Sequence, residues 1–467
     1  MTIITLFRHL PLLLLLALPA VGMVIASGLG SPTYAQDDDG GDDDGGDDDG
    51  GDDDGGDDDG GVGASGSPEG RDAPATRTSR TAPPETVRRT QALPADATPL
   101  PTRAPDQIVV SGLTDADLAA LVAEGFVVIE TVTVVRNGPR LHRLRLPSGV
   151  ALEVGRDRVR ALESGQNADF NHYYRSVQAD AVETDATAAP ECKHLNCGIA
   201  EQVGWPVSRP PGCRAEIDIG VIDTAINLEH AGLVGARIEL VRLTGDLPPS
   251  GESHGTAVVS LLVGLEDRAP GLVPEARIVA VDVFTREGGD ERADVVHLVQ
   301  ALDLLADRGL RVANMSLAGP ENTVLTDMMA SVAEGGMLVV AAAGNGGPAA
   351  PPAWPAAAKA AVAVTAVDAA GRVYRQAQRG DHLDLAAPGV EVWSAASVRG
   401  VRPKTGTSFA APFVTATAAI MMSRDPAMTP AAARDALRSH TRDLGKQGED
   451  DVFGVGLLNL GGLCASL

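Results

Sequence analysis

From about residue 214 onward, short apolar runs alternate with longer stretches of helical period. The runs are Ile217–Ile222, Ile278–Val283, Val312–Leu317, Leu338–Ala343 and Val362–Val367. Each is mostly apolar rather than strictly alternating, as expected of parallel strands buried on both faces. Between them, His254–Gly264, Asp294–Asp307 and Thr326–Glu334 are long enough for crossover helices. The pattern predicts a doubly wound, mostly parallel α/β sheet over residues 214–467. Phe413 to Met422 is apolar almost all round and predicts a buried helix.

Residues 107–174 follow a different rhythm. Ile108-Val109-Val110 reads as a strand, and Thr114-x-x-Asp117 resembles a capping box before a helix with Leu118, Leu121 and Val122 at helical spacing. Phe126–Val135 and Leu141–Leu146 read as a hairpin about Asn137-Gly138. Val150–Leu162 reads as a helix and Ala168–Tyr174 as a last strand. A β-α-β-β-α-β order in so few residues suggests a small α+β, ferredoxin-like domain.

The remainder lacks a core pattern. Residues 1–35 combine Arg8 and His9 with an apolar run from Leu10 to Leu29 and small residues before Ala35. They read as an export signal, or as a membrane anchor if uncleaved. The expected location is therefore exported, either periplasmic or secreted. Residues 36–61 hold five copies of Asp-Asp-Asp-Gly-Gly, a solvating spacer by its self-repulsion. Weak calcium binding is its rival reading. Residues 62–106 form a linker rich in Pro, Ala and Thr, and 175–213 an irregular, cysteine-bearing connection.

Fifteen of the formal net charge of −25 lie in the acidic repeats. A balance this acidic argues against a nucleic-acid partner, which needs a basic face. Cys192, Cys197, Cys213 and Cys464 suit two disulfides in an exported chain, with three connectivities open. Cys192–Cys197 with Cys213–Cys464 is the preferred set, since the second bridge would tie the start of the sheet domain to its end. No close cysteine pair supports a zinc site.

Three polar residues sit where the apolar pattern breaks. Asp223 closes the run Val221-Ile222, His254 heads the second helix in Ser253-His254-Gly255-Thr256, and Ser408 lies in Gly406-Thr407-Ser408 before the buried helix. Each alone has a plain reading: a turn carboxylate, a structural imidazole, a helix cap. Together they are the parts of an activated serine nucleophile. Their chain order, Asp then His then Ser, is one of three known orders.

With Ala342-Ala343-Gly344-Asn345 and Gly406-Thr407-Ser408-Phe409-Ala410-Ala411-Pro412, these stretches resemble the subtilisin-like serine peptidases over about 214–462. Leu385-Ala386-Ala387-Pro388-Gly389 adds to the likeness. The resemblance implies a serine endopeptidase in which Ser408 attacks, His254 relays the proton and Asp223 orients His254. It makes Asn345 an oxyanion donor, Ser316, Leu317, Ala318 and Gly319 a substrate-pairing strand, and Ala342, Ala343 and Gly344 a specificity wall. It implies polypeptide substrates, a monomer, and a reaction without metal or organic cofactor. Structural calcium, used in the family, has no ligands that can be matched here. Ala225 and Ala318 stand where the family usually has glycine, which implies altered fit. The 107–174 domain then resembles an inhibitory propeptide, with His172-Tyr173-Tyr174-Arg175-Ser176 like its junction and self-cleavage expected between about Tyr174 and Pro190.

Two rivals remain. Gly406-x-Ser408-x-Ala410 is near an esterase elbow, but that fold needs Asp and then His after the serine, and only His440 follows in an unsupported polar stretch. A catalytically silent binding protein on the same fold is the other.

Overall fold

The structure, a computed structural model, describes residues 99–134, 138–177, 179–180, 193–206 and 213–463. The export signal, the acidic repeats, most of the linker, Asn137, Cys192 and Cys464 lie outside the described residues. The expected cysteine pairing lies outside with them. Among the described residues no cysteine is a free thiol, and no helix is long and apolar enough to cross a membrane.

The first module runs β1 (Arg103–Ser111), α1 (Asp115–Ala123), β2 (Val127–Thr133), β3 (Arg140–Arg145), α2 (Leu152–Arg160) and β4 (Asp169–Ser176). β1 starts at Arg103, inside the stretch read as linker. The antiparallel strand order is β2-β3-β1-β4. Thr114 caps α1 by accepting from the Asp117 amide at 3.1 Å. Strand alternation gives the sheet two apolar faces. Ile108, Val110 and Leu144 pack with Leu121 of α1 and Val159 of α2, whereas Val109 and Leu141 belong to the larger core of the next module.

The chain continues through β5 (Ala179–Asp180) and α3 (Cys197–Gln202), a helix in a connection expected to be irregular. Then follow β6 (Ile219–Asp223), β7 (Arg237–Arg242), α4 (Ser253–Val263), β8 (Arg277–Asp282), β9 (Phe284–Glu287), β10 (Asp290–Asp294) and α5 (Val295–Asp307). Next come β11 (Val312–Met315), β12 (Leu317–Ala318), α6 (Thr323–Glu334), β13 (Leu338–Ala342), β14 (Ala361–Val367), β15 (Leu385–Pro388), β16 (Val392–Ala395) and β17 (Val401–Thr405). α7 (Thr407–Arg424), α8 (Pro430–Ser439), β18 (Thr441–Arg442) and β19 (Leu457–Leu458) complete the order.

The main sheet is ordered β18-β19-β15-β14-β13-β11-β6-β8-β7, parallel except for the β18–β19 edge pair. Alternate side chains divide its strands between two cores. Val221, Ile278, Val312, Val340 and Val364 pack with α4, α7 and α8. Ile222, Val279, Ala313, Val339 and Ala363 pack with α5 and α6. This is a doubly wound, mostly parallel sheet. The strand order reverses between β6 and β11, the switch point where such sheets open a crevice.

β4 belongs to both modules. It pairs with β1 on the first sheet and, further along, with β10 and β12 of the second module. The seam is polar as well. Asp169 accepts from the Thr323 amide at 3.0 Å at the start of α6, a favourable place for a carboxylate. Arg143 pairs with Asp294, the N-cap of α5, at 3.1 Å.

Candidate active site

Of the three residues singled out by their places in the pattern, Asp223 and His254 meet at the switch point, and the ring of Phe409, next to Ser408, lies 5.7 Å from the imidazole. Asp223 ends β6 and His254 is the second residue of α4. Their side chains are each about 2% exposed, and His254 Nδ1 and Asp223 Oδ1 lie 2.6 Å apart. The short contact depends on Gly255. A Cβ there would meet the Thr224 carbonyl oxygen at 2.5 Å, so any side chain would push α4 off the β6 loop. The Gly255 amide instead donates to Thr224 Oγ1 at 2.9 Å, which locks the helix start to that loop.

Ser408 is the second residue of α7, a helix buried from Thr407 to Met422. Its N-cap is Gly406, which brings no side chain to the orphan amides of the first turn. The Ser408 hydroxyl does not reach the imidazole. It donates to the Ser316 carbonyl at 3.0 Å, while Ser316 Oγ donates back to the Ser408 carbonyl at 2.9 Å. Asn314 Nδ2 holds Ser316 Oγ at 2.9 Å, and Thr415 Oγ1 holds Asn314 Oδ1 at 3.0 Å. The serine thus rests on a buried polar chain that runs back into α7.

Asn345 follows β13 and is tied to the same helix start. Its Oδ1 accepts from the Thr407 amide at 3.2 Å and from Thr407 Oγ1 at 3.0 Å. The Gly344 amide in turn donates to Thr407 Oγ1 at 3.1 Å. With its oxygen so engaged, the Asn345 amide nitrogen has no partner. His254 Nε2 and Asp223 Oδ2 share that condition, all three atoms being buried. Buried polar atoms are rarely left bare.

Of Ser316 to Gly319, Leu317 and Ala318 form β12 and face β4, with Leu317 opposite Ser176 and Ala318 opposite Arg175. Gly319 admits the fully buried Tyr174, since a Cβ on it would meet that ring at 2.4 Å. Ala342 and Ala343 are fully buried. Gly344 lies under the Gln378 side chain, which a Cβ would strike. Sequence reasoning gave no role of their own to Thr407, Asn314 and Ser250. Thr407 lay inside the Gly-Thr-Ser turn and Asn314 opened the stretch that resembles the pairing strand; Ser250 carries no signal without the fold.

A second carboxylate lies behind the first. Asp282 of β8 is in register with Asp223, and Ser250 Oγ bridges Asp282 Oδ1 at 3.0 Å to the Ala225 amide at 2.9 Å. Burial raises the Asp282 pKa to about 6 against the pull of its hydrogen bonds and Arg242. Beside α4 a cavity of about 560 Å³ opens, lined by Ser253, Val398, Arg399, Arg402 and Lys404 among others. Among the described residues no cluster of three or more His, Cys, Asp or Glu side chains could hold a metal ion.

An aspartate-bonded histidine at the switch point of a doubly wound sheet, with a serine at the start of a buried helix, is the set of parts that serine hydrolases use. A model of the subtilase family matches residues 214–456, more than half of the chain. The chain belongs to that family, whose members are serine endopeptidases. It is 31% identical to subtilisin BL of Lederbergia lenta over 274 residues, 56% of this chain and 98% of that protein. It is also 31% identical to the minor extracellular protease Epr of Bacillus subtilis (strain 168) over 246 residues, 52% of this chain and 37% of that protein. Among solved structures it is similar in fold to fervidolysin from Fervidobacterium pennivorans, described as a keratinolytic enzyme related to subtilisin. That likeness has a TM-score of 0.66 at 20% identity over 78% of this chain and 62% of the other. The chain thus spans little more than a third of Epr and under two thirds of fervidolysin.

Proposed function

We propose that this protein is an exported serine endopeptidase made as a zymogen, with residues 99–177 serving as its own inhibitory segment. The observation that carries the reading is the buried Asp223–His254 pair beside Ser408, with Nε2 of the histidine and Nδ2 of Asn345 both unpartnered.

In this reading the Ser408 hydroxyl leaves the Ser316 carbonyl and turns to His254 Nε2. As Oγ attacks the substrate carbonyl carbon, its proton passes to Nε2. Asp223 holds the Nδ1 proton and stabilises the imidazolium. The oxyanion takes hydrogen bonds from Asn345 Nδ2 and the Ser408 amide, with the positive end of α7 behind them. His254 then protonates the leaving amine, the C–N bond breaks, and water repeats the sequence to free the acid from Ser408. Ser316 to Gly319 pair with the substrate backbone, and Ala342 to Gly344 wall the pocket for the side chain before the cut. No metal or organic cofactor enters these steps.

The strand order β2-β3-β1-β4 is that of ferredoxin-like domains and fits a propeptide role. The pairing of β4 with β12, and of β5 with β17, supports a chain laid through the cleft in the manner of a substrate. Extending the β12–β4 register by one residue sets Val177 opposite Ser316, whose carbonyl accepts Ser408 Oγ. This favours self-cleavage at Val177–Gln178, within the range expected from the sequence. Export agrees with the name of Epr as an extracellular protease. The disulfides proposed are Cys192–Cys197 and Cys213–Cys464.

Fluorophosphonate labelling of the purified protein beside Ser408→Ala, with mass-spectrometric mapping of the labelled residue and the new N-terminus, tests the reading. Label on Ser408 and an N-terminus at Gln178 are expected. The Ser408–Ser316 hydrogen bond favours one alternative, a silent binding protein on this fold. Inertness to the probe in a folded sample freed of residues 99–177 would establish that alternative.

A further inference from the structure

Alternation along β4 sends Tyr174 into the core and turns Arg175 toward the β9–β10 hairpin. Arg175 Nε and Nη2 donate to Asp290 Oδ1 and Oδ2, each at 2.7 Å. Such a two-pronged guanidinium–carboxylate pair is strong and specific in geometry. Asp290 is 6% exposed, so the charge is held largely out of water. The hairpin is part of the cleft, because Ala293 and Asp294 of β10 pair with Tyr174 and Tyr173. β4 therefore runs between β10 on one side and β12 on the other.

The hairpin keeps a negative surplus for the arginine. Glu287, Asp290 and Glu291 face only Arg286 and Arg292 as charge partners within the same hairpin. Arg292 Nη1 donates to Asp290 Oδ2 at 3.0 Å, bonds Glu287, and stacks on the Tyr173 ring at 4.0 Å. Burial would raise the Asp290 pKa, but Arg175 and then Arg292 outweigh it and hold the carboxyl below its usual range. When Arg175 and β4 depart, Asp290 keeps Arg292 and meets water in place of its second guanidinium, and a substrate that covers the site again removes that water. An incoming substrate that restores the second is favoured, and one that cannot leaves the carboxylate underpaired.

We propose that Asp290 is a specificity-determining residue that selects substrates with arginine as the third residue before the bond cut. This rests on the reading of β4 as a bound substrate cut after Val177. The same contact then serves twice: it anchors the inhibitory segment and sets the sequence preference of the freed enzyme.

The test uses internally quenched peptides spanning residues 170–182, with Arg175 kept or replaced by alanine, citrulline or glutamate, and the purified full-length protein after self-processing. Citrulline keeps the shape of arginine and removes its charge. The arginine peptide should exceed the alanine and citrulline peptides about tenfold in kcat/KM, with glutamate lowest. Asp290→Asn should bring the arginine-to-citrulline ratio near one, and Asp290→Arg should favour the glutamate peptide. Equal kcat/KM for arginine and citrulline in the unsubstituted enzyme, which needs no variant to fold, would overturn the assignment while the peptidase reading stands. An arginine preference surviving in Asp290→Asn would overturn it too. If no peptide is cut and Ser408→Ala behaves alike, the peptidase reading falls and this assignment with it.

Discussion

Two buried carboxylate corners lie along the same cleft and are built in opposite ways. At Asp223, one carboxylate oxygen, the far histidine nitrogen and the Asn345 amide are left without partners. At Asp290, two guanidiniums occupy both oxygens. The first corner thus leaves hydrogen-bonding capacity open that the protein itself does not fill. That arrangement suits charge that exists only while bonds are changing, since donors fixed in advance need no reorganisation when it appears. The second corner suits a ligand whose charge is permanent. In the proposed reading, the unpartnered atoms at the first corner serve the chemistry and the paired carboxylate at the second serves recognition.

The strongest way to break the comparison is at the serine. Ser408→Ala should lower kcat by roughly 10⁶-fold, the magnitude known for the same substitution in subtilisin itself. The variant should also remain unprocessed on gels. Turnover within a thousandfold of the parent would place the nucleophile elsewhere.

Asn345→Ala comes next. Loss of its unpartnered amide should cost roughly 10²–10³ in kcat with KM little changed, again the range known for subtilisin. A rise in KM alone would make Asn345 a binding residue and erase the distinction between the corners.

Arg175→Ala, in the uncut Ser408→Ala background, probes the paired corner. Removing the two-pronged contact should loosen β4, so that an added protease nicks residues 169–180 about tenfold faster. Unchanged nicking would mean that Tyr174 and the backbone pairing hold the segment without it.

The smallest effect concerns Asp282. Its pKa is raised to about 6, above the unfolded value. The native state therefore binds the extra proton, so the contribution of this group to stability is full below about pH 4 and is lost as pH rises through 6. In the Ser408→Ala background, Asp282→Asn should remove this penalty. Its melting temperature relative to that background should rise by a few degrees between pH 4.5 and 7.5. A constant difference across that range would dismiss Asp282 as the titrating group.

The buried strands were legible because each is largely apolar, as in Val221-Ile222 or Leu338 to Ala342. Strands with polar surfaces were not. β7 reads Arg-Ile-Glu-Leu-Val-Arg and lies half-exposed at the sheet edge. β9 and β10 are charged, and take their strand form from pairing with each other and with β4. α8 hides in a polar stretch where only Ala433 and Leu437 are buried. Asp294 read as the first residue of a helix and is instead its N-cap, accepting from the His297 amide at 3.1 Å. At the site, Asp223, His254 and Ser408 stood out because each interrupts an apolar run beside small residues. Ser250 and Asp282 carry no such mark, since their role depends on a neighbour strand in register.

The sequence by itself determined the doubly wound sheet domain, the family, and which aspartate, histidine and serine to watch. Those features are written in short-range patterns: strand runs, helix starts and tight motifs. Only the tertiary structure decided that Ser408 rests on Ser316, that Asn345 keeps a bare amide, and that Arg175 meets Asp290 across 115 residues of chain. Such contacts follow from how sheet register and helix packing bring distant residues together, and no local pattern encodes the distance between them.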